Sequence, residues 1–561
     1  MKYIIVGAVA GGASTAARLR RLDENAEIVI FEKGDYISYA NCGLPYYIGD
    51  VIKDRNKLFV QTAASFNKRF NIDVRVKTEV TSIDPVRKTI KALNLESGKA
   101  YEETYDKLVL SPGAEPIRPP LPGINLPGIF TLRNVSDTDY IKEYVNKVKT
   151  GKAVIVGGGF IGLEMAENLH AIGMDVTIIE IGNQILAPAD FPIAALVQKH
   201  IRSKGVKLQL NTTVSGFDRE GENLKVWLKG GENIEADIVI LSIGVRPDTK
   251  LAVGAGLALG SAKGIFVNEY LQTSDPDIYA VGDAIEFVNP ITGASMITYL
   301  AGPANKQGRI CANNMVLGNS HSYHGSINTA IVKVFDMTVG VAGISSKHLT
   351  AANIKHTAST THSGSHAGYY PDSQQMSIQI AFSPDNGRLL GAQVAGYDGA
   401  DKRLDVLSAV IKQNGTIYDL VEFEHAYAPP YSSAKDPVNM AGFVAENIIQ
   451  KRLNIVYWND VAELGENDLL IDVRSPEEYA SGTISNAINI PVDDLRRRIS
   501  ELPKDKNIYI FCQVGLRGYL AQRILLQSGF TKVHNISGGY SLWKVCKDEE
   551  GVSAYMHPIF A

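Results

Sequence analysis

The feature that most constrains this chain is a pattern that occurs twice. Lys2 to Val6 is an apolar, β-branched run that ends in Gly7-Ala8-Val9-Ala10-Gly11-Gly12, enters a helix through Leu22 and returns as a strand, Ala26 to Phe31, closing on Glu32. Glycines at such a turn let the backbone approach a pyrophosphate, the helix N-terminus supplies amides and dipole, and the acid 25 residues after Gly7 takes ribose hydroxyls. Position 9 is valine where the fingerprint has its second glycine. The pattern recurs as Ala153 to Val156, Gly157-Gly158-Gly159-Phe160-Ile161-Gly162, a helix to Ile172 and a strand, Asp175 to Ile179, ending in Glu180. Here all three glycines are present, and the acid follows Gly157 by 23 residues. Two such units imply two dinucleotides, for which a nicotinamide and a flavin are the economical pair: one delivers hydride and the other passes electrons to a thiol. Glu180 predicts NADH over NADPH, because a carboxylate repels a 2′-phosphate and Ile181-Gly182-Asn183 holds no arginine to counter it.

At 561 residues the chain predicts about three or four domains. A net charge of −4 with 21% charged residues leaves no basic footprint for nucleic acid. Met1 runs straight into a strand, so no signal peptide is expected, and the longest uncharged segment, Phe287 to Asn305, is too broken by proline, glycine and polar residues to span a membrane. Four scattered cysteines, Cys42, Cys311, Cys512 and Cys546, form no CxxC pair. That usage predicts a reduced cytoplasm and no zinc or other metal site.

Cys42 lies in Ser38-Tyr39-Ala40-Asn41-Cys42-Gly43-Leu44-Pro45, where Pro45 suits the first turn of a following helix and would aim the amide-rich end at the sulfur. The stretch alone is compatible with a redox thiol and with a small buried hydrophobe. Three further stretches favour a flavin. Tyr105 to Ala114 is a strand ending in a small-residue turn with Ser111 and Gly113, Asp237 to Asp248 repeats that form around Gly244, and Thr273 to Ala284 carries a strand into Gly282-Asp283.

In this order the motifs resemble the two-dinucleotide-binding flavoprotein disulfide reductases over roughly residues 1 to 440. The resemblance implies cofactor-binding roles for Gly7, Ala10, Gly11, Gly12, Glu32, Lys33, Asn41, Val80, Ser111, Gly113, Asp283 and Ala301, with Asp283 on the flavin ribityl and phosphate region, and for Gly157, Gly159, Phe160, Ile161, Gly162, Glu180 and Gly244. Cys42 has no CxxxxC partner and looks like the single cysteine of the coenzyme A disulfide reductase branch, which cycles through a mixed disulfide with coenzyme A. NADH oxidases and peroxidases, which cycle through a sulfenic acid, are the rival branch. The branch implies coenzyme A contacts at Ser14, Arg18, Arg21, Ser38, Asn41 and Lys435. The cluster Arg18, Arg20, Arg21 suits a phosphorylated adenosine and equally a solvated helix face.

After Gly325, strands such as Thr329 to Phe335 and Leu389 to Val394 and a helix, Asp401 to Gln413, resemble the family's dimerisation domain, through which a partner subunit completes each site. The resemblance places Tyr427, in Glu424 to Tyr431, near flavin and substrate sulfur; Tyr369 is a second candidate, though both it and Tyr370 also read as core aromatics. From Tyr457 the chain resembles a single rhodanese domain. A strand, Asn507 to Phe511, leads into Cys512-Gln513-Val514-Gly515-Leu516-Arg517-Gly518, whose loop amides and helix N-terminus would surround a sulfur, with Arg517 adding charge. Gly482-Thr483-Ile484 departs from that family's usual central histidine. Cys311 and Cys546 have no such context and read as structural.

The expected fold is α/β: two Rossmann-like domains, for FAD (1–120 and 248–322) and NAD (121–247), an α+β dimerisation domain (323–445), a linker (446–456) and an α/β rhodanese domain (457–561). The expected protein is a homodimeric, cytoplasmic, NADH-dependent FAD enzyme with coenzyme A as a further cofactor. It would reduce persulfides, polysulfides and coenzyme A disulfide or persulfide at Cys42 to hydrogen sulfide and thiol, with the rhodanese loop presenting sulfane sulfur at a domain surface. A redox-sensing sulfur-relay protein is the non-enzymatic alternative.

Overall fold

The computed structural model describes residues 1–221 and 223–555. The chain forms two compact units, one of Met1–Ile181 with Thr212–Asn328 and one of Gly182–Asn211 with the residues from Thr329 onward.

The first unit contains both glycine patterns, each on a parallel sheet. In the first sheet the order is Ile278–Ala280, Lys107–Leu110, Lys2–Val6, Glu27–Phe31, Asp73–Arg75. Ile4, Ile5, Val109, Leu110 and Ile278 are sealed from solvent, as expected of strands covered on both faces. Val6 pairs with both Phe31 and Leu110, so the turn after Val6, the acid after Phe31 and the small-residue turn after Leu110 converge at one sheet edge. The second sheet repeats this: Val156 pairs with both Ile179 and Leu241. The stretch Asp237 to Asp248 is a strand running into a small-residue turn, as expected, and a second short strand follows the turn. Ile238–Leu241 stays in the parallel sheet, while Val245–Pro247 pairs antiparallel with Ala114–Pro116, the break falling at Gly244, whose φ of +109° a side chain rarely adopts.

In the second unit a five-stranded antiparallel sheet, ordered Ala330–Val334, Met337–Gly343, Leu389–Gly396, Gln375–Phe382, Thr357–Gly364, is accompanied by the helices Ala400–Lys412 and Pro437–Ile449. A five-stranded parallel sheet follows, with Asn507–Phe511 at its centre. Of the residues expected as a linker, only 450–454 lie outside regular elements: the preceding helix runs to Ile449 and Ile455–Val456 already pairs with Asn535 and Ile536.

Residues 182–211 include the helix Phe191–Ser203, which belongs to the second unit. Its Phe191, Ala195 and Leu196 join Leu542, Val545 and Cys546 of the C-terminal helix in one apolar cluster. Buried Glu549 accepts from Gln198 Nε2 at 3.1 Å and Arg202 Nε at 3.3 Å. At the helix start, buried Asp190 accepts from the amides of Ser346 and Lys347 and from the side chains of Gln379 and Gln393, at 2.6–3.0 Å, so its charge is fully satisfied.

Candidate active sites

Gly7 (φ +95°) and Gly157 (φ +108°) occupy equivalent places, and a Cβ on either would collide with a backbone carbonyl, of Ser111 and Ser242 respectively. The turns are locked by the acids that follow: the Ala8 amide donates to Glu32 Oε2 at 2.9 Å and the Gly158 amide to Glu180 Oε2 at 2.7 Å. Val9 is tolerated because its φ is −101°, a value open to any residue; the departure from the fingerprint leaves the turn intact. A Cβ on Gly159 would meet open space, which is where a pyrophosphate can approach. Ile181 and Ile243 follow the second sheet's strands Asp175–Ile179 and Ile238–Leu241, Ile161 lies in the first turn of the helix Phe160–Ala171, and all three are exposed.

A cavity of about 830 Å³ opens from the first turn. Its walls include Gly7, Ala10, Gly11, Glu32, Lys33, Asn41, Val80, Ser111, Gly113, Asp283 and Ala301, and Cys42 lies in the same wall; Gly12 lies beneath the turn, where a Cβ would strike Gly7 O. The size, the turn and the terminal carboxylates fit a flavin dinucleotide. Arg133 was missed in the sequence: it lines the cavity, with Nη2 3.6 Å from Asp283 Oδ2. Burial pushes the Asp283 carboxyl up, and Arg133 opposes that.

Asn41–Gly43 is a 3₁₀ turn and Leu44–Ile48 a short helix with Pro45 in its first turn, as expected. Cys42 is exposed. Although the residue is exposed, desolvation by the atoms around its sulfur pushes the thiol up from 9.0, and the carboxylates of Glu164 and Asp283 add to this. The helix after Cys42 is only five residues long, and the charges that reach the sulfur are negative. Glu164 itself is pushed up to about 7 by burial, with the Tyr46 hydroxyl 3.3 Å from its Oε1 opposing and Glu167 adding to the shift.

The expected coenzyme A residues divide. Ser14 hydrogen-bonds Asn305, and Arg18 Nε donates to Asn313 Oδ1 at 2.9 Å, placing both against the helix Ala301–Leu317. Arg21 and Arg309 repel Arg18 electrostatically, which makes Arg309 an unforeseen member of the basic group. Arg20 leaves it: buried, it donates to the carbonyls of Phe70, Asp23, Glu24 and Asn71. Ser38 sits in a tight turn at φ +45°, and Lys435 is exposed on a loop of the second unit.

Tyr369 and Tyr427 come together, hydroxyl to hydroxyl at 3.0 Å, and both are exposed rather than core. Their loops are tied by buried Arg403, which donates to Ser365 O, Tyr431 O, Ser432 Oγ and Asp436 Oδ2, the last at 2.8 Å. The amide of Ala367 also donates to Ser432 O, crossing from one loop to the other. Nothing in the local sequence marks Arg403, which reads as an ordinary helix arginine.

In the parallel sheet of the second unit, Cys512 follows the central strand and the helix Leu516–Gln527 begins just beyond it. The Gly515 amide donates to Cys512 Sγ at 3.1 Å, and Gly515 holds φ +114°. The sulfur is not at the surface as expected: the loop wraps it and Cys512 is 1% exposed. Arg517 interacts with Cys512 but is gripped by Glu478, Nη1 and Nη2 donating to its two oxygens at 2.6 and 2.7 Å, which holds the Glu478 carboxyl down at about 2. Cys311 and Cys546 are sealed in apolar packing.

The sequence pattern of the pyridine nucleotide-disulphide oxidoreductases matches residues 1–308, that of their dimerisation domain residues 329–437, and that of rhodanese-like domains residues 459–546. The chain belongs to the pyridine nucleotide-disulphide oxidoreductase family. This oxidoreductase is 36% identical over 452 residues, 80% of its own length and all of the relative's, to coenzyme A disulfide reductase of Staphylococcus haemolyticus. The crystal structure of reduced Bacillus anthracis CoADR-RHD superposes with a TM-score of 0.96 at 48% identity, covering 98% of each chain. A NAD-dependent persulfide reductase from A. fulgidus gives 0.91 at 38% identity, covering 97% of this chain and all of the other. The oxidoreductase is thus a flavin-dependent, NAD(H)-using enzyme with a fused rhodanese domain. Among the described residues no helix is long and apolar enough to cross a membrane.

Proposed function

We propose that this enzyme is an NADH-dependent reductase of coenzyme A disulfide and coenzyme A persulfide, drawing sulfane sulfur from persulfides and polysulfides through its rhodanese loop and releasing hydrogen sulfide and thiol. One observation carries the reading: Cys42 is accessible in the wall of the dinucleotide cavity, while Cys311, Cys512 and Cys546 are all buried elsewhere, so the disulfide that Cys42 forms is with an incoming thiol. In the reaction the Cys42 thiolate attacks the inner sulfur of coenzyme A persulfide. The Cys42–sulfur bond forms, the sulfur–sulfur bond breaks, and hydrosulfide leaves. When bound, FAD relays a hydride's two electrons from NADH, which cleave the mixed disulfide to two thiolates. Arg18, Arg21 and Arg309 suit the phosphates of coenzyme A. The Tyr369–Tyr427 pair, contributed across a homodimer, would donate a proton to the departing coenzyme A thiolate. Glu180 would exclude the 2′-phosphate of NADPH.

Anaerobic NADH oxidation driven by coenzyme A persulfide, compared with oxidation driven by oxygen or peroxide, tests the reading. Persulfide should dominate, and Cys42→Ser should abolish its turnover while NADH still bleaches the flavin. Faster turnover with peroxide, or near-normal persulfide reduction by Cys42→Ser, would overturn it.

A further inference from the structure

Two guanidiniums reach the loop around Cys512, and each is matched by a carboxylate. Buried Arg474 donates to Asp472 through Nε at 3.0 Å and Nη2 at 2.7 Å, and its Nη1 donates to Gln513 Oε1 at 3.1 Å. Arg517, the one cation in the loop sequence, is part-exposed at the loop mouth and is spanned by both oxygens of Glu478. A bidentate pair occupies the face of the guanidinium that would otherwise grip a planar or tetrahedral oxyanion. Among the described residues, then, neither of these cations is left to an anionic donor. Beside the mouth, Leu516 and Leu520, four residues apart on one helix face, are 59% and 46% exposed and give the approach an apolar side.

We propose that the Glu478–Arg517 pair makes this loop selective for sulfur carried on a thiol and discriminates against thiosulfate, with Glu478 as the specificity-determining residue. The inference deepens the reading above and rests on it, since Cys512 must accept sulfane sulfur. With a thiol persulfide, the Cys512 thiolate attacks the terminal sulfur. The new sulfur–sulfur bond forms, the donor's breaks, and the electron pair leaves on the donor thiolate, which takes the persulfide proton: RSSH and Cys–S⁻ give Cys–SS⁻ and RSH. With thiosulfate the same attack expels sulfite, so three negative charges crowd the mouth before and after transfer, with no unpaired guanidinium there to hold the dianion.

The test uses the full-length holoenzyme with glutathione persulfide or thiosulfate as donor and cyanide as acceptor, the rate being read as thiocyanate. Wild type should prefer the persulfide. Glu478→Gln, which releases Arg517, should raise the thiosulfate-to-persulfide ratio of kcat/KM about 10-fold, the order of effect of one charge-assisted hydrogen bond. The double variant Glu478→Gln/Arg517→Gln, which again leaves no free cation, should return the ratio to that of wild type; a merely structural role for Glu478 would not produce that reversal. A wild type that uses thiosulfate as well as persulfide, a ratio unmoved in Glu478→Gln, or a ratio that stays high in the double variant would overturn the proposal. Failure of the underlying reading looks different: Cys512 would gain the mass of a sulfur atom from neither donor.

Discussion

The thiol of Cys42 is pushed up by burial and by the carboxylates of Glu164 and Asp283, so the polypeptide on its own favours the protonated form at neutral pH. A consequence can be measured. Glu164→Gln removes one of the two carboxylates, and the pH midpoint for alkylation of Cys42 should fall relative to wild type; an unmoved midpoint would show that Glu164 does not reach the sulfur. Glu164 also links stability to pH. Its folded pKa of about 7 lies above the ordinary 4.5, so its contribution is fully present below pH 4.5 and is lost as pH rises through 7. That loss is worth up to about 3 kcal/mol and should be absent from Glu164→Gln in denaturant titrations across this range. At the second turn, Glu180→Ala should narrow the preference for NADH over NADPH by about 10-fold, or about 1.4 kcal/mol, read from the two values of kcat/KM. The acids at 32 and 180 were legible in the sequence because a strand end fixes where they must stand. The environment of Cys42 was not, because Glu164 lies 122 positions away in the chain and only the fold brings it near.

At the scale of elements, the pair of tyrosines depends on Arg403 in the helix Ala400–Lys412 and on Asp436, which caps the helix Pro437–Ile449. A buried charge that loses its partner costs about 3–5 kcal/mol, whereas replacing both partners by apolar residues costs far less. Arg403→Met should therefore lower stability by that amount and separate the Tyr369 and Tyr427 loops, and Arg403→Met/Asp436→Leu should recover much of the stability but not the sulfur-reducing activity. Thermal melts and steady-state kinetics on the same variants check both halves. Strands and nucleotide turns were readable from β-branched runs and glycine spacing, and the observed bounds of the first strand, Lys2–Val6, agree with those expected. The pairing of Val245–Pro247 with Ala114–Pro116 was not readable, since a small-residue turn does not reveal which sheet the residues after it join. The burial of Cys512 was missed for a related reason: loop length specifies an anion cradle but not how tightly the loop closes over the sulfur.

At the scale of the whole molecule, the C-terminal helix Gly539–Tyr555 is fastened to the helix Phe191–Ser203 by an apolar cluster and by the Glu549–Arg202 contact. Leu542→Ala opens a cavity in that cluster and should cost about 2–5 kcal/mol, read as a lower transition for the second unit rather than as a separate melting of the rhodanese domain. The packing partner of the helix Phe191–Ser203 could not be read from sequence, because the helix has the same amphipathic look whichever surface it covers. The amide of Thr360 donates to Ser537 Oγ at 3.1 Å, and the Tyr457 hydroxyl lies 3.3 Å from both Ala358 N and Ala358 O, so the two sheets of the second unit are stitched edge to edge. With only residues 450–454 outside regular structure at the joint, a protease finds no strand of chain long enough to enter its cleft. The fusion should thus survive limited digestion uncut at a place where two families meet, and a released fragment of rhodanese size would show that the stitching opens in solution.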